Sequence, residues 1–253
     1  FSQTKLLSYI FRTNYTYNEK YLATITARAD GSSKFGDNNK WAIFPSAALG
    51  WKAQNESFIK DLDVFDELKF RASYGVSGNQ GISPYQTLSR FGVDTYFANG
   101  KWETAIGPGY IVARTGADSR YTEWGGIPNK GLKWESTAQA NFGVDMAFFN
   151  RRLRLTFDYY DKHTYDLLRQ SYLAPSSGFD KMWINDGEIS NKGFELTLDG
   201  DVISTKDWNL SGTFIFSRNR NRVLSLGNSQ SAGLQTDPRT GMQYEYYGTT
   251  LDP

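Results

Sequence analysis

The 253-residue chain contains no cysteine and a single histidine, His163. Without cysteine there are no disulfides, no thiolate metal sites and no thiol nucleophile. No run comes near the ~18 apolar residues that a membrane-spanning helix requires. The opening FSQTKLLSYIF lacks the basic, apolar, small-residue order of a signal peptide. Charge of one sign is missing too: 28 basic residues against 27 acidic ones leave a net +1, which gives no chain-wide electrostatic case for nucleic acid or acidic lipid. Helical periodicity is nearly absent, and ESFIKDLDVFDEL at 56–68 is the one stretch that could hold a short helix. No Met opens the chain, which reads as an internal piece of something longer.

What is present is alternation. Apolar residues make up only 39% of the chain while aromatics reach 16%, a balance that suits strands better than helices. Period-2 patterns predict strands at 6–17, 21–30, 41–53, 68–77, 134–149, 153–163, about 192–202 and 208–218. In WAIFPSAALGW (41–51), Trp41, Ile43, Pro45, Ala47, Leu49 and Trp51 share one face, and Ala42, Phe44, Ser46, Ala48 and Gly50 form a smaller, mixed one. Charged residues mostly keep to the polar parity of their strands; Asp161 and Arg218 are exceptions and fall at the expected strand ends. Two environments reward this pattern: a soluble sheet with one wet face, or a barrel wall in lipid.

Three features favour lipid. Aromatic residues cluster toward the ends of the apolar faces, as in interfacial girdles: Tyr17, Tyr21, Trp51, Phe148 and Trp208 at one rim, Trp41 and Tyr159 at the other. Trp41 and Trp51 lie ten residues apart on one face. On a strand tilted by ~40° that is a rise of roughly 25 Å, the height of the apolar band on outer-membrane barrels. Connections also alternate, short at 18–20, 150–152 and 203–207, long at about 78–133 and 164–190. The 54–67 connection breaks the pattern, being longer than 31–40. Arg at Leu49 is expected to cost ~2–4 kcal/mol if that site is near the midplane, and Arg at Ala48 much less.

Several long blocks carry a resemblance: ARADGSSKFGDNNKWAIFPSAALGWKAQNESF (27–58), LKFRASYGVSGNQGI (68–82), LKWESTAQANFGVDMAFFNRRLRLTFDYYDKHTYDLL (132–168) and NDGEISNKGFELTL (185–198). In these the chain resembles SusC/RagA-type TonB-dependent outer-membrane transporters of Bacteroidetes. The resemblance implies an all-β fold, an antiparallel transmembrane β-barrel wall of about eight strands from a plugged barrel of ~22 strands. It implies that residues 1–253 are part of the barrel domain, with the plug, its TonB-engaging segment and the closing C-terminal strands outside this chain. It further implies a SusD-like surface lipoprotein, TonB and outer-membrane lipid as partners, an oligosaccharide or peptide as cargo, and neither enzyme activity nor a cofactor. A passive pore or phage-receptor barrel and a soluble carbohydrate-binding β-sandwich are the rival readings.

Candidate site residues follow. Arg12, Arg28, Arg71, Arg154, Asp158 and Glu195 are expected to face the lumen, where such groups brace strands more often than they steer solute. Trp41, Trp51 and Trp208 are the girdle indoles. In the loop at 99–134, Trp102, Tyr110, Tyr121 and Trp124 offer aromatic platforms among polar residues, and Trp183 offers a weaker one. Such rings also supply the small core that a long loop needs. A surface hydrolase would pair His163 with Asp158 or Asp161, but no partner motif accompanies it. DGSSKFGD (30–37) has the outline of a calcium loop with Lys34 where an oxygen ligand belongs, and GPG (107–109) has no following GK[ST]; both read as turns, so no metal or phosphate site is expected.

Overall fold

The structure is a computed structural model. It describes the backbone of residues 3–89, 91–108, 111–115, 120–124, 127–172, 181–227, 229–236 and 243–249, and the side chains of 3–89, 98–104, 127–171 and 182–227. Strands β1 (Leu6–Tyr17), β2 (Tyr21–Ser32), β3 (Trp41–Lys52) and β4 (Glu67–Asn79) follow in order. Two hairpins come next, β5 (Phe91–Ala98) with β6 (Lys101–Pro108) and β7 (Ile111–Thr115) with β8 (Arg120–Trp124). Then come β9 (Glu135–Phe148), β10 (Leu153–Tyr165), the hairpin β11 (Leu168–Tyr172) with β12 (Lys181–Asn185), β13 (Glu188–Ser204), β14 (Asn209–Ser225) and the hairpin β15 (Ser229–Thr236) with β16 (Gln243–Thr249). The long strands form one eight-stranded antiparallel sheet ordered β1-β2-β3-β4-β9-β10-β13-β14.

All eight predicted strands are present. The differences lie at their ends: β2 runs on to Ser32, β13 begins at Glu188, and β14 continues to Ser225. Asp161 and Arg218, expected at strand ends, therefore sit inside β10 and β14. The helical stretch shrinks to a 3₁₀ turn, Ala53–Asn55, and the single turn α1 (Ser57–Lys60). The β1–β2 turn places Asn18 and Glu19 at φ 49 and 54, the handedness that matches strand twist, and Lys20 N donates to Tyr17 O at 3.0 Å.

Register shows how the wall is inclined. One row of paired residues runs Tyr17, Tyr21, Trp51, Phe70, Val144, Phe157, Leu196, Phe216 across all eight strands. β1 ends on this row. β4 begins three residues below it at Glu67, β9 ends four below at Phe148, and β14 begins seven below at Asn209. The short-turn ends thus descend by about one residue per strand. With ~3.3 Å per residue and ~4.8 Å between strands, that staircase is a tilt of about 35°, as closure of a barrel requires. The connections at its foot are tight apart from 53–66; those at the other end include all three inserted hairpins between long strands.

The apolar face lies bare. Tyr9, Phe11, Tyr15, Ile25, Trp41, Leu49, Tyr74, Phe142 and Tyr159 are exposed, and Ile43 is 71% so. A soluble sheet of this size would cover such a surface; a wall in hydrocarbon leaves it outward. Aromatic contacts mark its margins. Trp51 stacks on Phe70 at 5.5 Å, Tyr17 on Tyr21 at 6.4 Å, and Phe65 meets Phe148 at 5.3 Å, all toward the foot. Tyr9 stacks on Trp41 at 5.9 Å toward the head. Trp208 is exposed beside the β13–β14 turn. Tyr159 is the last apolar residue on its face of β10 before Asp161, lower on its strand than Trp41 on β3. At the foot, Glu56 ties two turns together, accepting from Lys20 Nζ (2.7 Å), Tyr21 Oη (2.8 Å) and Trp51 Nε1 (3.3 Å). The Lys20 bond first, then that from Tyr21, holds its carboxyl below the usual carboxylate range.

A small core sits at the head, where Phe35, Phe44, Ile82, Leu132 and Trp134 bury one another. Phe44 comes from the mixed face of β3 and meets Trp134 edge-on at 5.6 Å; Trp134 Nε1 donates to Lys40 O at 3.1 Å. A Cβ added to Gly78 would come 2.0 Å from Phe44 Cζ, well inside contact distance.

Two outcomes are expected in the full-length protein folded into lipid or detergent. Leu49 is only three residues from the foot of β3, so Arg there belongs at the low end of the scale set by depth. Ile25, in the row of Ala47 at mid-wall, is the sharper site. Ile25→Arg is expected to cost ~2–4 kcal/mol and Thr26→Arg far less; equal losses in denaturant titrations would contradict the assignment of faces. Gly78→Ala is expected to destabilise the head core by about 1–3 kcal/mol through overpacking. Gly212→Ala, with nothing within 4 Å of its added Cβ, is the neutral reference. Proteolytic sensitivity of the 33–40 loop that rises only in Gly78→Ala is the confirming observation.

Candidate functional site

The polar face of the sheet is the first half of the site. Arg71 lies in one row with Gly143, Asp158 and Glu195. Its guanidinium grips Asp145 through Nε (2.8 Å) and Nη2 (2.9 Å) and reaches Asp158 with Nη2 at 3.0 Å. Between them, a Cβ on Gly143 would come 2.5 Å from Asp158 Oδ1 and 2.7 Å from Arg71 Nη2, so only glycine leaves room for the bridge. The bridge also offsets repulsion between Asp158 and Glu195, which face each other across β10 and β13. Arg28 Nε pairs with Asp30 at 2.7 Å on its own strand, where Asp30 is 3% exposed, and Arg12 Nε donates to Thr26 Oγ1 at 3.2 Å. Arg154 stands opposite Asp199, whose Oδ1 accepts from Thr213 Oγ1 at 2.6 Å. Neither Arg154 nor Glu195 has an ion pair among the described residues. Arg12, Arg71 and Asp158 of the six thus link neighbouring strands, while Arg28 is paired within β2. Two are left facing the polar space.

The second half is the head. A cavity of about 550 Å³ is lined by Lys5, Lys40, Lys130, Asn38, Tyr85 and Thr87, among others. Lys40 is engaged by Asp37, and its hydrogen bond keeps the Asp37 carboxyl below the ordinary range. Tyr85 is held at φ 68, and its hydroxyl accepts from Gln3 N at 3.0 Å. Sequence patterns gave no sign of this cavity, because its residues come from four separated segments and share no periodicity.

The aromatic candidates do not form one group. Trp102 lies on β6 and is 71% exposed. Tyr121 and Trp124 are on β8, paired with Arg114 and Ile111, and their side chains lie outside the described residues. Tyr110 lies outside them altogether. Trp183, on β12, packs against the head core, and its carbonyl accepts from Asn129 Nδ2 at 2.8 Å.

The enzymatic and metal alternatives find other partners. His163 Nε2 lies 3.0 Å from Glu188 Oε2, not beside Asp158, which is on the opposite face of β10. Asp161 is taken by Lys192 at 2.7 Å. In DGSSKFGD, Asp30 and Asp37 each serve a cation, Arg28 and Lys40. No cluster of three metal-binding side chains occurs among the described residues.

Comparison with known proteins agrees with this geometry. The family described as TonB dependent receptor-like, beta-barrel, matches residues 2–249. The chain is 38% identical over 237 residues to TonB-dependent receptor P3 of Formosa agariphila, covering 94% of this chain and 22% of that protein. It is 35% identical over 227 residues to TonB-dependent receptor SusC of Bacteroides thetaiotaomicron, covering 89% and 21%. It therefore spans about a fifth of the length of these relatives. The solved RagAB peptide transporter superposes with a TM-score of 0.75 at 29% identity, covering 97% of this chain and 25% of that one. The open-open state of the RagAB peptide importer gives 0.76 at 28%, covering 97% and 24%. An inclined wall with one bare apolar face, matched along nearly its whole length, places the chain in the TonB-dependent receptor family, as wall of its outer-membrane β-barrel.

Proposed function

We propose that the intact protein imports a large nutrient, an oligosaccharide or a peptide, through this barrel, driven by TonB and capped by a SusD-like surface lipoprotein. One observation carries the reading: a polar, ion-paired inner face leads up to a head where the inserted hairpins, the small core and the cavity are all gathered. A mere pore needs only the polar face. A transporter that captures cargo before moving it needs an elaborated mouth as well, with hydrogen-bonding groups and ring faces. Asn38, Thr87 and Tyr85 beside three lysines offer both. Likeness to SusC and to the RagAB peptide transporter supports the class of cargo and the lipoprotein partner. In this reading the wall supplies conduit and mouth, while the plug that couples to TonB lies elsewhere in the protein.

The test is uptake by the parent strain with the gene deleted and restored. Labelled oligosaccharide and peptide pools are offered separately. Restored import of one pool that collapses on loss of TonB is expected. Import that persists without TonB identifies a passive pore and overturns the proposal.

A further inference from the structure

The alternation of the wall fails in one region. On the outward face of β14, Phe214 and Phe216 are followed on the same parity by Arg218, Arg220 and Arg222. These stand opposite Phe194, Lys192 and Ser190 of β13. Four cations therefore occupy the face that elsewhere meets hydrocarbon. The chain-wide balance of charge conceals them, and the hydrophobic pattern of β14 ends before them.

Their height is set by the staircase. Trp41 lies eleven residues above the foot of β3 at Lys52. Arg220 lies eleven above the foot of β14 at Asn209, with Arg218 nine and Arg222 thirteen above it. The comb is thus level with the indole at the head margin, where hydrocarbon gives way to headgroups. Its position at the long-loop end puts it in the outer leaflet. Successive side chains on one face are ~6.6 Å apart, so the three guanidinium groups span roughly 13 Å, with Lys192 about 5 Å to the side.

On its β13 side the comb meets little compensating charge; β14 is the last strand of this sheet, and its other edge has no described neighbour. Asp161 of β10 is bound to Lys192 at 2.7 Å, and Glu188 is bound by His163 at 3.0 Å. None of the three arginines forms an ion pair or side-chain hydrogen bond among the described residues. An unpaired arginine facing lipid at this depth meets an anion there or turns its stem upward to find one. Guanidinium forks match phosphate oxygens bidentately.

We propose that Arg218, Arg220, Arg222 and Lys192 form a binding site for the phosphate groups of the phosphorylated glycolipid of the outer leaflet. The acyl chains of that lipid lie along the apolar strip below, against Phe216 and Phe194, which contact each other at 5.8 Å. The site anchors the barrel's height and rotation next to its mouth, and it is independent of which cargo the barrel carries.

The experiment titrates bis-phosphorylated lipid A into the detergent-solubilised full-length protein and counts bound copies by native mass spectrometry. R218Q/R220Q/R222Q is expected to bind roughly 100-fold more weakly than the unaltered protein. Lys206→Gln, at the foot of the same hairpin, is expected to bind normally. Heat-dependent gel mobility shows that each variant retains its barrel. Fully dephosphorylated lipid A is expected to bind the unaltered protein as weakly as the triple variant binds the phosphorylated form. Unchanged affinity in the triple variant overturns the site. Equal affinity for phosphatidylglycerol, or displacement by millimolar inorganic phosphate, overturns the glycolipid assignment. Loss of a co-purifying lipoprotein without loss of lipid A gives the arginines to a protein neighbour and overturns the proposal as well.

Discussion

A backbone that crosses hydrocarbon must satisfy every N–H and C=O within the protein, because no water is there to do so. In this wall that demand is met by continuous pairing of eight strands in fixed register. Among the described residues, register shifts within the main sheet occur in the β13–β14 pair alone. A slip of one residue would turn an entire strand's apolar set inward and its charges outward. Register is therefore where sequence, stability and topography meet. It fixes the tilt, decides which side chains reach lipid, and brings Arg71, Asp145 and Asp158 together from three strands across the gap left by Gly143.

The two margins of the wall are built differently. At the foot, chain reversal is cheap, and one carboxylate, Glu56, suffices to tie adjacent turns. At the head, long segments must be supported away from the sheet, and burial does the work. Phe35 and Leu132 are almost fully enclosed although neither belongs to a long strand. The head core thus links the β2–β3 connection to the far longer one between β4 and β9, and the cavity opens beside this joint. Capture surfaces need loops held in place, and this is the means.

Much of this was legible in the sequence. Side-chain parity located all eight strands because both faces of the wall impose opposite solvents at every step. It failed where that contrast fails. Arg218, Arg220 and Arg222 carry charge on the outward parity, so the strand signal stopped at the point where β14 rises out of hydrocarbon. The hairpins β5–β6 and β11–β12 carry little period-2 contrast, so no strand signal marks them in the sequence. Phe44 read as one member of a mixed face; its burial depends on Ile82 and Trp134, which only the folded chain brings near. The same holds for His163, whose carboxylate partner comes from the next long strand and not from its own.

The inclination of the strands has a mechanical corollary. A force along the pore axis runs mostly along strands tilted by about 35°, so it loads the interstrand hydrogen bonds chiefly in shear, many bonds of each seam together. Seams strained in that way yield only when whole ladders give at once, whereas bonds peeled from one end break singly. A cylinder assembled from such seams stays shut while something inside it is hauled lengthwise, because a tilt no greater than the staircase implies keeps most of the load along the strands.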